Sequence, residues 1–155
     1  MKRIITIVLA LFMLTTCTCG AFAEAAAEPV YSTTGFTWQE LTRVSGLIDV
    51  DDTDIELSSP TTNTLRIYIK IQGTSTMTKI GYTQLEVQYY SGGSWYRLVS
   101  YDPKTSTNTD TCVFSKTQYG ISSGRLVRLY CRAYAQNSNG QTQTVIFTGD
   151  SITCR

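Results

Sequence analysis

The chain has 155 residues, with 13 lysines and arginines, 12 aspartates and glutamates and no histidine, so its formal net charge is +1. A charge so close to zero gives no reason to expect nucleic acid or an anionic membrane as a partner. The lack of histidine excludes histidine-based triads, histidine general bases and histidine metal ligands. Glycine motifs of hydrolases, P-loop proteins and dinucleotide-binding folds are also absent. We therefore expect no enzyme activity and no cofactor.

The first 23 residues have the features of a secretory signal peptide. Residues 1–3 (MKR) are basic at their end, and residues 4–14 form an apolar run without charge or proline. This run is shorter than the about 20 residues that a transmembrane helix needs. Residues 21–23 (AFA) supply the small side chains of a cleavage site. We expect cleavage before Glu24 and a secreted product without a membrane span.

A second cleavage site competes with the first. Residues 14–17 (LTTC) resemble the lipobox of bacterial lipoproteins, although Thr16 stands where such sites usually carry a smaller residue. Processing there would leave the protein lipid-anchored through Cys17. Secretion without a lipid is the leading expectation and the anchor is the minor alternative, and the intact mass of the exported protein distinguishes them.

The remaining residues have the length of one domain. We expect residues 24–30 to be disordered and residues 31–155 to form the domain. Charge is unevenly placed, because residues 24–60 contain eight acids and one base, whereas residues 61–155 contain ten bases and four acids. We expect the acidic stretch to lie against the basic remainder.

Strand signals dominate this part of the sequence, with frequent threonine, serine, tyrosine, isoleucine and valine. Residues 65–72 alternate apolar and polar side chains, as a half-buried strand does. Residues 80–90 change face near Thr83 and Gln84, which predicts a β-bulge. Residues 95–101 follow a glycine-rich turn and complete an antiparallel hairpin. We expect Trp95 to be a core anchor.

Further strands are predicted towards the C-terminus. Residues 111–117 and 125–136 form a second predicted hairpin, and residues 141–148 can pair with the latter strand. Weaker strands are predicted at 41–50 and 54–57. Short strands at such spacing favour an all-β fold, a single β-sandwich of about seven or eight mostly antiparallel strands like immunoglobulin or fibronectin domains.

Residues 62–150 carry motifs that resemble those of a known family. The motifs, in chain order, are Gly73, Lys79-Ile80-Gly81, Gln88-x-Tyr90, Ser94-Trp95 and the strand 125–132 with the polar hairpin after it. They resemble a family of small secreted β-sandwich proteins of unknown function from anaerobic Gram-positive bacteria. The face change at 82–85 looks like a one-residue insertion relative to that family, and a histidine that often follows the strand 125–135 is missing. The resemblance implies export and a β-sandwich, and it implies no activity.

One face of the strand 125–136 is a candidate ligand face. Arg128, Tyr130, Arg132 and Tyr134 alternate with apolar residues and therefore share a side. Tyrosine rings and guanidinium groups suit sugar rings, carboxylates or partner proteins. The same pattern also suits an outer sheet face stabilised by cross-strand packing. Arg66, Tyr68 and Lys70 would extend the face if their strand lies in the same sheet.

Three cysteines remain after signal-peptide cleavage. Cys112 and Cys131 would lie opposite each other if the second hairpin turns between Ile121 and Ser122, so a disulfide between them is a candidate. Cys154 is then left as a free thiol, a link between copies or another partner for Cys131.

The acidic run 49–56 is a weaker candidate. Alternating carboxylates could bind Ca²⁺, but an EF-hand loop starting at Asp49 would need glycine and glutamate where Asp54 and Pro60 stand. We interpret the run as a solvated turn and predict no metal site.

These observations favour a secreted, non-enzymatic interaction module for cell-envelope glycan or protein. Two alternatives remain: a structural component that assembles into extracellular oligomers and, less favoured, a hydrolase that uses paired carboxylates. Paired carboxylates in a cleft would support the hydrolase, and disulfide-linked or concentration-dependent oligomers would support the assembly component.

Overall fold

The computed structural model describes residues 30–32, 36–41 and 46–155. They form nine strands, all paired antiparallel, and contain no helix, so none of them belongs to a helix that could cross a membrane. The predicted signal peptide with Cys17, and residues 24–29, lie outside the described residues. The strands are β1 (Val30–Ser32), β2 (Phe36–Glu40), β3 (Ile48–Ser59), β4 (Thr64–Ser91), β5 (Ser94–Tyr101), β6 (Lys104–Tyr119), β7 (Leu126–Gln136), β8 (Thr142–Gly149) and β9 (Ile152–Thr153).

Strand β4 is the central strand of the sheet and has 28 residues. Its first half, residues 64–73, lies between β3 and β6, and its second half, residues 79–91, lies between β7 on one side and β5 with the start of β6 on the other. The main order is β1-β3-β4-β7-β8-β2. The predicted strands 65–72 and 80–90 are therefore one continuous strand.

A β-bulge lies where the face change predicts it. The pairing of β4 with β7 shifts between Tyr82 and Gln84, so the bulge expected near Thr83 and Gln84 is confirmed. One extra residue turns Tyr82 and Leu85 to the same side of the sheet, and both are buried. The bulge thus keeps a single apolar face along the whole second half of β4.

Contacts along one edge show that the sheet curls back on itself. The ring centroids of Tyr101 in β5 and Phe114 in β6 are 5.2 Å apart, and the Tyr101 hydroxyl donates to Gln118 Oε1 at 3.3 Å. Along a straight strand, the thirteen residues from 101 to 114 would separate these rings by about 43 Å. Because β5 and β6 follow the same side of β4, the nine described strands form one sheet that curls like half a barrel, and we call the parts built on the two halves of β4 its two walls. The first wall contains the first half of β4 with β3, and the second wall contains the second half with β5, β7 and β8.

The core fills the space between the walls. Alternate residues of each strand point inward, and they form one buried apolar cluster. Its fully enclosed side chains include Leu65, Ile67, Ile69, Ile71, Ile80, Leu85, Val87, Val127, Leu129, Val145 and Phe147. The buried amide of Gln143 in β8 joins the walls, since its Oε1 accepts the backbone N–H groups of Leu47 at 2.8 Å and Ile48 at 2.7 Å.

Acidic β3 lies beside the basic first half of β4. Asp54 is in register with Lys70, and their charged groups are 4.0 Å apart. The acidic segment therefore lies against part of the basic remainder, as its charge predicts.

Three expectations about strands are wrong in detail. Strands β6 and β7 do not form a hairpin, because each pairs with β4. The strand predicted at 111–117 begins earlier, at Lys104. Of the strand predicted at 41–50, residues 42–45 lie outside the described residues, and its end joins the strand predicted at 54–57 in β3, which begins at Ile48 and includes a register shift between Asp49 and Asp54.

Candidate ligand-binding face

Strand β7 places the four predicted ligand residues on the outer side of the second wall. Its inward residues from Val127 to Ala135 are fully buried, whereas Arg128, Tyr130, Arg132 and Tyr134 are half-buried. Strict alternation in a strand flanked by β4 and β8 produces this division. The four side chains therefore share one face, as the sequence predicts.

Neighbouring β4 supplies a polar row beside them. Gln88, Glu86 and Gln84 are in register with Arg128, Tyr130 and Arg132, respectively. Glu86 is only 7% exposed, and its carboxylate accepts hydrogen bonds from Gln84 Nε2 at 2.8 Å and Gln88 Nε2 at 3.2 Å. The side-chain amides of Gln84 and Gln88 thus stabilise the negative charge of Glu86.

Strand β5 adds aromatic residues to the face. Trp95 lies opposite Tyr90 with ring centroids 5.2 Å apart, and the Arg128 guanidinium lies 4.2 Å from the Trp95 ring centre. Arg128 Nε also donates to Gln88 Oε1 at 3.1 Å. These contacts hold the guanidinium and the indole in one arrangement.

The prediction that Trp95 is a core anchor is wrong. Its ring is half-exposed and lies outside the buried cluster, because Trp95 is in register with Tyr90, whose side chain is 45% exposed. The sequence could not assign this face, since the face of β5 depends on its register with β4. We call the outer surface of Gln88, Trp95, Arg97, Arg128, Tyr130, Arg132 and Tyr134 the Arg-Tyr face.

The arginines of the Arg-Tyr face carry uncompensated charge. None of Arg97, Arg128 and Arg132 forms an ion pair with another residue in the described part of the chain. Burial lowers the pKa of Arg128, although a guanidinium stays protonated in proteins. Arg132 Nε is buried and has no hydrogen-bond partner among the described residues.

Arg66, Tyr68 and Lys70 do not extend this face. They lie in the first half of β4, in register with β3 and β6. The Arg-Tyr face is built on the second half, because only that half pairs with β7.

The cysteines are arranged differently from the hairpin prediction. Cys112, Cys131 and Cys154 are free and buried. Cys112 is in register with Ile71 in the first wall and Cys131 with Leu85 in the second, so they are not cross-strand neighbours. Burial, with a smaller contribution from Cys112, raises the pKa of the Cys131 thiol to about 12. The two thiols thus belong to one core but come from opposite walls.

Cys154 is enclosed near the end of the chain. Its side chain is 1% exposed, and Sγ lies 3.7 Å from Ser59 Oγ and 3.6 Å from the carbonyl oxygen of Ile121. A disulfide between copies through this thiol would require the terminal segment to open.

The acidic run forms a turn within β3. Asp49 Oδ1 accepts the backbone N–H groups of Asp51 at 3.2 Å and Asp52 at 3.3 Å, and the Thr53 hydroxyl donates to the carbonyl of Asp49 at 2.7 Å. Among the described residues, no group of three or more acids or cysteines could hold a metal ion.

Comparisons with known proteins bear on the fold alone. No family model matches the chain, and no curated protein matches it. A solved structure titled pT26-6p is similar, with a TM-score of 0.50 and 11% identity over 80% of this chain. The present chain spans 25% of the chain in that structure. A likeness at such low identity carries no inference beyond the shared architecture.

Proposed function

We propose that this chain is a secreted, non-enzymatic binding module that holds an acidic glycan of the cell envelope on its Arg-Tyr face. The domain that presents the face is a sandwich of immunoglobulin or fibronectin type, and the resemblance of residues 62–150 to secreted proteins supports export. The observation that carries the proposal is the set of arginines without ion pairs beside half-exposed aromatic rings.

Charge supports an acidic ligand. Arg97, Arg128 and Arg132 present three guanidinium groups, and a guanidinium matches a carboxylate with two parallel hydrogen bonds. The one carboxylate in their midst, that of Glu86, is already occupied by Gln84 and Gln88. An acidic ligand would therefore meet positive charge that the protein itself does not neutralise.

Shape supports a sugar. Tyr90 and Trp95 give ring surfaces, and Tyr130 and Tyr134 give hydroxyl groups on the same side of the sheet. Aromatic rings pack against the apolar C–H face of a pyranose, while hydroxyls and guanidinium groups bind its polar substituents. The half-buried state of the β7 side chains limits the ordering cost of binding.

Binding to polygalacturonate, with its fully methyl-esterified form as the neutral match, tests the proposal. The double variant Arg128→Gln and Arg132→Gln should weaken binding about tenfold or more, since a charge-assisted hydrogen bond contributes about 1.5–3 kcal/mol. Titration calorimetry at low and high salt gives the affinities. We expect the esterified polymer to bind the wild type as weakly as the acidic polymer binds the variant.

Arg66→Gln is the matched control. It removes the same charge from an exposed position on the other half of β4 and should leave the affinity within twofold. Equal losses for the control and the double variant would show non-specific charge attraction and refute the proposal. Equal binding of the acidic and esterified polymers would refute it as well, as would binding to a protein of the envelope with no binding to either polymer.

The free edge of β6 favours assembly as a second candidate. Among the described strands, β6 pairs only with β4, so a 16-residue edge is open to another strand. Val113 and Tyr119 on this strand are 42% and 71% exposed. Sedimentation over a range of protein concentrations tests this: a constant monomer mass would exclude it, and oligomers abolished by Val113→Lys would support it.

A further inference from the structure

A cleft opens between the walls where β5 gives way to β6. Asp102 and Pro103 interrupt the edge there, and the cavity has a volume of about 470 Å³. This volume lies within the range of small-molecule sites. We call it the seam cleft, and it is separate from the Arg-Tyr face, since none of the residues that define that face lines it.

Three aromatic rings form its floor. Phe114 meets Tyr101 at 5.2 Å and Tyr82 at 5.7 Å between ring centroids, the latter nearly perpendicular. Burial raises the pKa of both tyrosines to about 12. Their hydroxyls therefore remain protonated at neutral pH: that of Tyr82 can donate a hydrogen bond, whereas that of Tyr101 already donates to Gln118 Oε1 and can accept one.

Charged groups stand at the rim. Lys116 Nζ lies 5.3 Å from the ring centre of Tyr101, and Lys104 Nζ donates to the carbonyl oxygen of Val113 at 2.7 Å. An ammonium has three donors, so Lys104 keeps two for a ligand. Asp102 lines the cleft together with Tyr82 and supplies one carboxylate there. Two cations and one anion leave the rim with net positive charge.

The wall of the cleft is fixed by a close backbone approach. A Cβ on Gly81 would lie 2.1 Å from the carbonyl oxygen of Lys104, so the absence of a side chain lets β6 press against β4 at this point. The segment that carries Asp102 and Lys104 is thereby held in place. A site whose walls are set before binding loses less entropy on binding.

We infer that the seam cleft binds a single acidic sugar residue. Its carboxylate meets Lys116 and Lys104, its hydroxyls meet Asp102 and the tyrosine hydroxyls, and its apolar face packs on the rings of Tyr101 and Phe114. Charge complementarity selects the acid, and the aromatic floor with polar groups on several sides selects a pyranose. The inference is independent of the Arg-Tyr face.

Galacturonate is the probe, and galactose and the methyl ester of galacturonic acid are its uncharged counterparts. Titration followed by amide chemical shifts measures affinity and locates the contact on the intact chain. We expect galacturonate to shift resonances of residues 100–104 and 114–116 and to bind about tenfold more tightly than either neutral sugar. Equal binding of the three sugars, or shifts confined to β7, would overturn the inference.

Lys116→Gln is the decisive variant, because the Lys116 side chain is exposed and its loss leaves the core intact. It should weaken galacturonate binding about tenfold, whereas Lys79→Gln, the same change at an exposed position outside the cleft, should leave it within twofold. Asp102→Asn tests the contacts to the sugar hydroxyls separately, and it should lower the affinity for all three sugars by the same factor. An unchanged affinity in Lys116→Gln would refute the inference.

The double variant Arg128→Gln and Arg132→Gln separates this site from the proposed function. This variant should bind galacturonate with the affinity of the wild type, even if its affinity for polygalacturonate is lost. If the affinity for galacturonate is lost as well, the sugar binds on the Arg-Tyr face and the seam cleft is not the site.

Discussion

The two halves of β4 have the same alternating sequence pattern but different outer surfaces. In the first half, Lys70 lies 4.0 Å from Asp54 of β3, so a neighbouring acid balances this outward base, whereas the exposed Arg66 forms no ion pair with another described residue. In the second half, the neighbours are Arg128 and Arg132 of β7, and the local carboxylate of Glu86 is bound to amides. Alternation decides which side chains point outward, but the neighbouring strands decide whether the outward charge is balanced.

This difference distinguishes a surface whose charge is paired within the protein from one whose charge can be paired by a ligand. An exposed ion pair such as Lys70 with Asp54 contributes at most about 1 kcal/mol, yet it reduces the local charge that a ligand would meet. The second half retains its charge and adds the rings of Tyr90 and Trp95. The candidate ligand face therefore lies on the half of the strand where several arginines without ion pairs lie beside aromatic rings.

Replacing Gly81 should give the largest effect, because it disturbs the place where β6 meets the second half of β4. In Gly81→Ala the new Cβ would overlap the backbone of Lys104, at 2.1 Å from its carbonyl oxygen. We expect the free energy of unfolding to fall by about 3 kcal/mol, the upper end of the usual cost of overpacking, measured by urea denaturation. Residues 79–82 would lose pairing with β6, whereas residues 64–72 would keep it, which amide hydrogen exchange would detect.

Gly149→Ala is the matched control for this substitution. Its Cβ would meet Ile55 Cγ2 and Leu129 Cβ at 3.6 Å, which is ordinary contact. The free energy of unfolding should change by less than about 1 kcal/mol. Similar losses in the two variants would contradict the role given to Gly81.

Alkaline pH should weaken the contact that closes the two walls. Burial raises the pKa of Tyr101 to about 12 from the value of 10.0 expected in an unfolded chain. As pH rises from 10 to 12, the unfolded chain therefore releases this proton first, and stability that is complete below pH 10 is lost. After allowance for solvent screening, Tyr101 should account for about 1.5 kcal/mol of that loss.

Tyr101→Phe tests this assignment. The variant lacks the hydrogen bond to Gln118 and should be less stable than the wild type by about 1 kcal/mol at pH 8. Between pH 8 and pH 11, however, it should lose less stability than the wild type in chemical denaturation. Parallel losses in the two proteins would show that Tyr101 does not couple to pH.

The sequence predicts what local periodicity controls and fails where distant pairing decides. Alternation predicts the strand 65–72, the bulge near Thr83 and the two faces of β7, because each depends on side-chain order within one strand. It does not predict that β6 pairs with β4, since the turn at 122–124 has the same residue types whether it leads into a hairpin or a crossover. The outward position of Trp95 follows from the register of β5 with β4, and the seam cleft follows from the pairing of β6 with β4, so neither is visible in the sequence.

The smallest effects should distinguish two arginines within the Arg-Tyr face. Arg128 packs 4.2 Å from the Trp95 ring centre and donates to Gln88, so Arg128→Met should cost about 1 kcal/mol in unfolding free energy. Arg132 Nε is buried without a partner in the described structure, and an unmet donor opposes folding. Arg132→Met should therefore be neutral or stabilising by up to about 1 kcal/mol, measured by denaturation under the same conditions.

The contrast also bears on why Arg132 is present. If Arg132→Met is neutral or stabilising and also weakens polygalacturonate binding, the arginine contributes to binding without stabilising the fold. A loss of stability equal to that of Arg128→Met would instead make both arginines packing residues of the second wall. The outer surface of the second half of β4 would then resemble that of the first half, where outward charges serve the fold.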